Sequence, residues 1–279
     1  MKERALDHRL DQLTVETPTP LALPPPPSER PAGRRFALVY AALGVILVGS
    51  LAAFVVFGLK PGVNSSPVWS SWKPSPGSLP VMAKQIADHV GPKYRFANGR
   101  QLMAVVPSPP TLTAGAQNVA ISAVSVRSRA GGDQSVSALV PGKAEMYTLC
   151  GLGVRCSIAS GTPSASRGQL VRRAALEVAL HTFKYIPAVD SVLVYMPPVA
   201  ALGPTQAPTY VLYFDRESLS DRLDLPLKET LALATPPYAG QADLSEARMI
   251  DALTLSHLYA SGLVQLQIGG ALLALVPVA

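Results

Sequence analysis

The sequence predicts an α+β protein: one N-terminal transmembrane helix, then an extracytoplasmic mixed α/β domain. That domain is expected to hold a mainly antiparallel sheet, hairpins and one long packed helix. Three observations carry this reading. Residues 36–59 are an unbroken apolar run without a charge or a proline. Beyond residue 78, short alternating runs are punctuated by turn residues, as half-buried strands require. One long helical pattern, residues 164–185, closes directly on a continuous apolar strand.

The apolar run comes first. At 1.5 Å per residue it reaches roughly 36 Å, enough to cross a hydrocarbon core of about 30 Å with some tilt. A buried helix of that length in a globular domain would show a polar face, and this run has none. Residues 1–35 precede it as a proline-rich tail, with six basic and five acidic residues and the run Pro24-Pro25-Pro26-Pro27. Residues 5–13, with Leu6, Leu10 and Leu13 at helical spacing, could form a short amphipathic turn or two, whereas the proline run of 17–31 cannot hold a hydrogen-bonded helix or strand and is expected to be extended and disordered, as a spacer or as a ligand for a partner. Arg30, Arg34 and Arg35 stand before the span, against Lys60 and Lys73 after it. The excess places the N-terminus in the cytoplasm and the C-terminal domain outside the membrane. No A-x-A cleavage site closes the run, so an uncleaved signal-anchor is expected. Residues 60–77 read as a linker. Its Trp69 and Trp72 either rest at the headgroup level or pack under the domain.

The domain, residues 78–279, begins with a helix over 78–90, with Pro80 in its first turn and Gly91-Pro92 as its stop. Asn98-Gly99 between two strand-like runs signals a hairpin, since both residues tolerate positive φ. The basic residues Lys93, Arg95 and Arg100 on it are expected to guard an exposed edge strand. After a break at Pro107–Pro110, strands are expected over 117–126, 135–140 and 145–150. The spacing Cys150-GLGVR-Cys156 lets two sulfurs meet across a glycine-containing loop. In an oxidising compartment these two residues are expected to form a structural disulfide, because C-x-x-C redox spacing is absent and two cysteines cannot complete a zinc site.

The helix of 164–185 carries Leu170, Ala174 and Val178 on a broad apolar face, with Arg167, Arg172, Arg173 and Lys184 expected outside. Pro187 ends it and residues 191–196 follow as a buried strand, the second half of a βαβ unit. The run Tyr185-Ile186-Pro187-Ala188-Val189-Asp190-Ser191-Val192 closing this helix resembles the end of a GerMN-type module. Those are extracytoplasmic α/β domains of lipoproteins and membrane-anchored proteins. The resemblance is confined to residues 170–195 and transfers no site residue. A strand over 209–214, a turn capped by Asp215, a helix over 244–253 capped by Asp243, and a terminal hairpin turning at Gly269-Gly270 complete the domain.

From Lys60 onward the chain holds 18 basic against 13 acidic residues, a mild excess with no tract dense enough to read nucleic acid. No catalytic, cofactor-binding or metal-ligating residue is assigned. H-E-x-x-H, G-x-S-x-G, P-loop and G-x-G-x-x-G patterns are all absent. Glu177 and His181 stand four apart on the long helix and read as a surface pair, with no third ligand suggested. His89 reads as a helix C-terminal dipole partner, and Asp215, Glu217, Asp221 and Asp224 as a solvated patch paired with Arg216 and Arg222. The function expected is a single-pass envelope protein whose domain binds a partner or ligand without catalysis. The alternatives are an envelope hydrolase or transferase with a dispersed site, or an accessory subunit of a membrane complex. An envelope or membrane protein is the expected partner besides the bilayer.

Overall fold

The computed structural model describes residues 40–47, 68–114, 117–128, 134–139, 142–198, 209–267 and 270–278. It divides into two units, Met1–Asn64 and Ser65–Ala279. In the first, residues 40–47 are helical and exposed. Among the described residues no helix is long and apolar enough to cross a membrane. The proline-rich tail and the remainder of the 36–59 run lie outside the described residues.

The second unit is α+β. Its helices are α1 (Leu79–Val90), α2 (Ala165–Tyr185), α3 (Ser220–Leu223) and α4 (Leu244–Thr254). Its strands are β1 (Met103–Ser108), β2 (Thr111–Ala114), β3 (Gln117–Arg127), β4 (Gln134–Ala138), β5 (Ala144–Gly151), β6 (Ser191–Tyr195), β7 (Thr209–Asp215), β8 (Leu258–Gln265) and β9 (Ala271–Pro277). The sheet runs β1-β5-β6-β7-β8-β9-β3-β2, with β4 paired to β3 off that path. Pairing is antiparallel except at β5–β6 and β3–β9. The β5–α2–β6 crossover is the βαβ unit read from the sequence, with Ala144 opposite Ser191.

Both faces of the central strands are covered, which is why they read as continuous apolar runs. On β6, Val192 and Val194 turn to a core shared with Ile86 of α1 and Leu176 of α2. Leu193 and Tyr195 turn the other way, to a second core with Met146, Tyr213 and Leu273. Period-two alternation thus serves two cores rather than one core and solvent.

Local signals hold where the reason for them is local. Pro80 sits in the first turn of α1. The Ser164 hydroxyl accepts from Arg167 N, and the Asp243 carboxylate from Ser245 N, each capping its helix. Elsewhere the structure corrects the sequence reading. At Asn98-Gly99 the chain does reverse, but only Gly99 takes positive φ (79°). Gly99 N donates to Phe96 O at 2.9 Å and Phe96 N to Arg100 O at 2.8 Å. That is a tight turn closed by a left-handed glycine, and its first arm is a single bridge, Arg95 to Gln101. Pro107 lies inside β1, tolerated because β1 ends the sheet order and needs no donor on its open side. The terminal hairpin is wider than a two-residue turn: Gln265 faces Ala271, and Leu266 N donates to Gly270 O at 3.1 Å.

The largest correction concerns α2. Arg173 is only 1% exposed, not on an outer face. Between Leu170 and Phe183 nearly every α2 residue is buried, because α1 and α4 flank the helix while the sheet lies beneath it. Arg216 departs in a similar way. Instead of pairing with the neighbouring carboxylates, its guanidinium donates to Phe183 O (2.7 Å), Ile186 O (3.0 Å) and Val189 O (3.0 Å), holding the carbonyls around the end of α2.

Candidate functional site

Cys150 and Cys156 are bridged, with Cα atoms 4.4 Å apart. The glycines between them have a steric role beyond flexibility. A Cβ on Gly151 would overlap the Ser157 carbonyl, and one on Gly153 would lie 2.7 Å from that oxygen. Arg155 and Cys156 both take positive φ, 52° and 63°, so the loop folds tightly back on the end of β5. The bridge joins the end of β5 to the loop that follows it.

The histidines come together where the sequence suggested separate roles. His89 from α1 meets Glu177 and His181 from α2, and the three offer ligand atoms within 4.8 Å of one another. His181 is wholly buried and Glu177 nearly so, which overturns the surface-pair reading. His89 lies flat against Trp72, ring centres 3.9 Å apart, rather than serving as a bare helix-end charge. Trp69 and Tyr185 enclose His181 at 5.2 and 5.8 Å. Both tryptophans therefore pack under the domain. Burial holds His181 down to about 3 and His89 to about 4, so both rings are neutral at ordinary pH. Neither ring nitrogen of His181 has a hydrogen-bond partner.

Neutral imidazoles beside a carboxylate are suitable metal ligands, and His89, Glu177 and His181 are the residues that could hold an ion. The carboxylate, however, is already occupied. Glu177 Oε1 accepts from Lys93 Nζ at 2.7 Å, and Oε2 from Tyr94 Oη at 2.7 Å and Arg173 Nη1 at 3.4 Å. A divalent ion on Oε1 would lie against the Lys93 ammonium in a poorly screened interior. Lys93 supplies the cation this site needs. The network continues from Arg173 to Glu246 on α4 and to Leu233 O at 2.7 Å. Two cations and two carboxylates balance, which is the condition for burying such a group. Sequence pattern alone places Lys93 on an edge strand and gives no role to Tyr94 or Glu246. The available signal is the i,i+4 pair Arg173–Glu177 flanked by the apolar run of α2.

His257 stands apart, its Nδ1 3.0 Å from Tyr213 O. Asp215 caps the following turn by accepting from Ser218 N at 2.8 Å.

Open space lies elsewhere. A cavity of about 430 Å³ sits beside the first turns of α2, between Arg167, Val171, Met196, Tyr210 and Leu258. It lies where β5 and β6 end, the side on which the loops of a βαβ unit gather ligands. Its walls are mainly apolar. Of its two cations, Arg172 pairs with Asp251, whereas Arg167 donates to Ser160 O at 3.0 Å and meets no carboxylate among the described residues. A second cavity, about 470 Å³, lies between the start of α1 and the β1–β2 turn. No protein-family model, no curated protein and no solved structure matches the chain, so the GerMN-type resemblance rests on residues 170–195 alone.

Proposed function

We propose that this chain is a single-pass, membrane-anchored envelope protein whose extracytoplasmic domain binds a ligand without transforming it. In this reading residues 1–35 lie in the cytoplasm, residues 36–59 span the membrane, and the domain from residue 78 lies outside. The span rests on the charge-free run and on the excess of arginine before it. Ligand binding is carried by the cavity beside α2. It is apolar, of the size that holds small molecules, and carries one cation, Arg167, without a carboxylate partner among the described residues. The ligand class that fits is an apolar molecule with one anionic end. The hydrolase alternative needs a histidine open to a cleft, whereas His181 is sealed beneath aromatic rings and His257 is bonded to backbone.

Two experiments test the proposal. An alkaline phosphatase that is active only outside the cytoplasm, fused after residue 77, is expected to be active; inactivity would refute the orientation. The full chain in lipid nanodiscs is expected to bind 4-phenylbutyrate, and Val171→Trp, which fills the cavity, is expected to abolish binding. Hydrolysis of ester or peptide substrates that is lost on changing a cavity residue would favour the enzyme reading.

A further inference from the structure

The second cavity is lined by a buried carboxyl, Glu145, to which no described residue gives a hydrogen bond or an ion pair. Its walls are apolar and rich in proline: Pro80 of α1, Pro107 of β1, then Pro109 and Pro110. Ile121 and Leu139 close the far side. Into this wall β5 places Glu145, which is 2% exposed. Glu145 takes part in no hydrogen bond and no ion pair among the described residues, although the other buried carboxylates, Glu177 and Glu246, are both held by cations. A buried carboxyl without a donor is costly and is normally matched by a partner. Glu145 is among the residues that line this cavity.

We propose that this cavity binds a small apolar molecule bearing one protonated amine, with Glu145 as its counter-ion. The volume, about 470 Å³, suits a small organic ligand. Glu145 is the one titratable group among the described residues lining it, so charge complementarity selects a single cation rather than an anion or a zwitterion. The preference reverses that of the Arg167 cavity, and the two sites can be told apart by ligand charge.

Proton linkage follows from the surroundings. Burial pushes the Glu145 carboxyl up to about 8. The nearest titratable neighbour on its strand is Tyr147, whose phenol is pushed well above its ordinary value and stays neutral. Lys143 and Asp190, at the entrance to β5, pair with each other at 3.3 Å. Leu79 and Pro80 of α1 bring no charge. At neutral pH the carboxyl is largely protonated, so an arriving ammonium displaces one proton to solvent, and binding strengthens as pH rises through the titration of Glu145.

The test is methyl NMR of the full chain in nanodiscs, titrated with 4-phenylbutylamine and with its neutral analogue 4-phenylbutan-1-ol. The amine is expected to shift Ile121 and Leu139 saturably, leaving Val171 and Leu258 of the other cavity unmoved. Glu145→Gln is expected to weaken the amine about tenfold and leave the alcohol unchanged. Amine affinity is expected to rise about 25-fold between pH 6.5 and 8.5 in the native chain, following the ionised fraction of a carboxyl that titrates at about 8, and stay flat in the variant. Leu139→Trp, which fills the cavity without touching the carboxyl, is expected to block both probes. Equal affinity for amine and alcohol, no effect of Glu145→Gln, or shifts confined to Val171 and Leu258 would each overturn the proposal. Loss of 4-phenylbutyrate binding would leave it intact, since that probe reports on the Arg167 cavity.

Discussion

Arg173 Nε and Nη2 both lie 2.8 Å from Oε1 of Glu246, joining α2 to α4 across 73 residues of sequence. Both side chains are about 1% exposed, and the same guanidinium also reaches Tyr94 Oη at 2.9 Å. This pair ties together parts of the chain that share no strand pairing.

Removing one partner strands the other. Arg173→Met is expected to destabilise the domain by about 3–5 kcal/mol, because two carboxylates are left buried with reduced compensation. The joint change Arg173→Met with Glu246→Leu is expected to cost less than Arg173→Met alone. Urea denaturation followed by circular dichroism measures both, and equal losses would show that the pair is not coupled.

His181 sets the acid side of the stability profile. Its folded pKa lies near 3, below the ordinary 6.5, so the unfolded chain binds the proton first. Stability therefore falls as pH drops from 6.5 toward 3, by about 3 kcal/mol at pH 4. His181→Phe is expected to remove this contribution and leave that of His89, whose folded pKa of about 4 acts in the same direction. Chemical denaturation at pH 4, 5 and 7 provides the check, and an unchanged slope would contradict it.

Glu145 acts with the opposite sign. Its folded pKa, about 8, is raised above the ordinary 4.5, so its contribution is whole below 4.5 and is lost as pH rises through 8. Without ligand, Glu145→Gln is expected to gain relative to the native chain as pH rises, by about 3 kcal/mol at pH 7. A constant difference across pH 5 to 8 would mean that the carboxyl is not desolvated.

Arg216 is expected to be irreplaceable by lysine. Its planar fork reaches three carbonyls at once, and an ammonium cannot match that geometry. Arg216→Ala should cost about 2–3 kcal/mol, and Arg216→Lys should recover less than half of it. Thermal denaturation distinguishes the two variants.

The elements and the disulfide were legible because their signals are local. Pro80, the Asp243 cap, the Cys150–Cys156 spacing and the helix-to-strand step at Pro187 each act within a few residues. The buried network was not legible. Helical periodicity assigns Arg173 to solvent because it cannot tell that α1 and α4 cover both flanks of α2. Its partners Tyr94, Leu233 and Glu246 lie 60 to 79 residues away, and proximity at that range is decided by packing. The same holds for His89 beside His181 and for the parallel pairing of β3 with β9. Neither cavity has a sequence signature, since its walls come from separated segments. Glu145 was read only as the start of a strand.

Titration of the full chain in nanodiscs with 4-phenylbutyrate, followed by the methyl signals of Val171 and Leu258, tests ligand binding most directly. The expected result is saturable shifts at both residues, absent at Leu258 in Val171→Trp and weakened at both in Arg167→Gln. Unmoved signals at millimolar probe, or equal binding by the Val171→Trp chain, would contradict a ligand site beside α2.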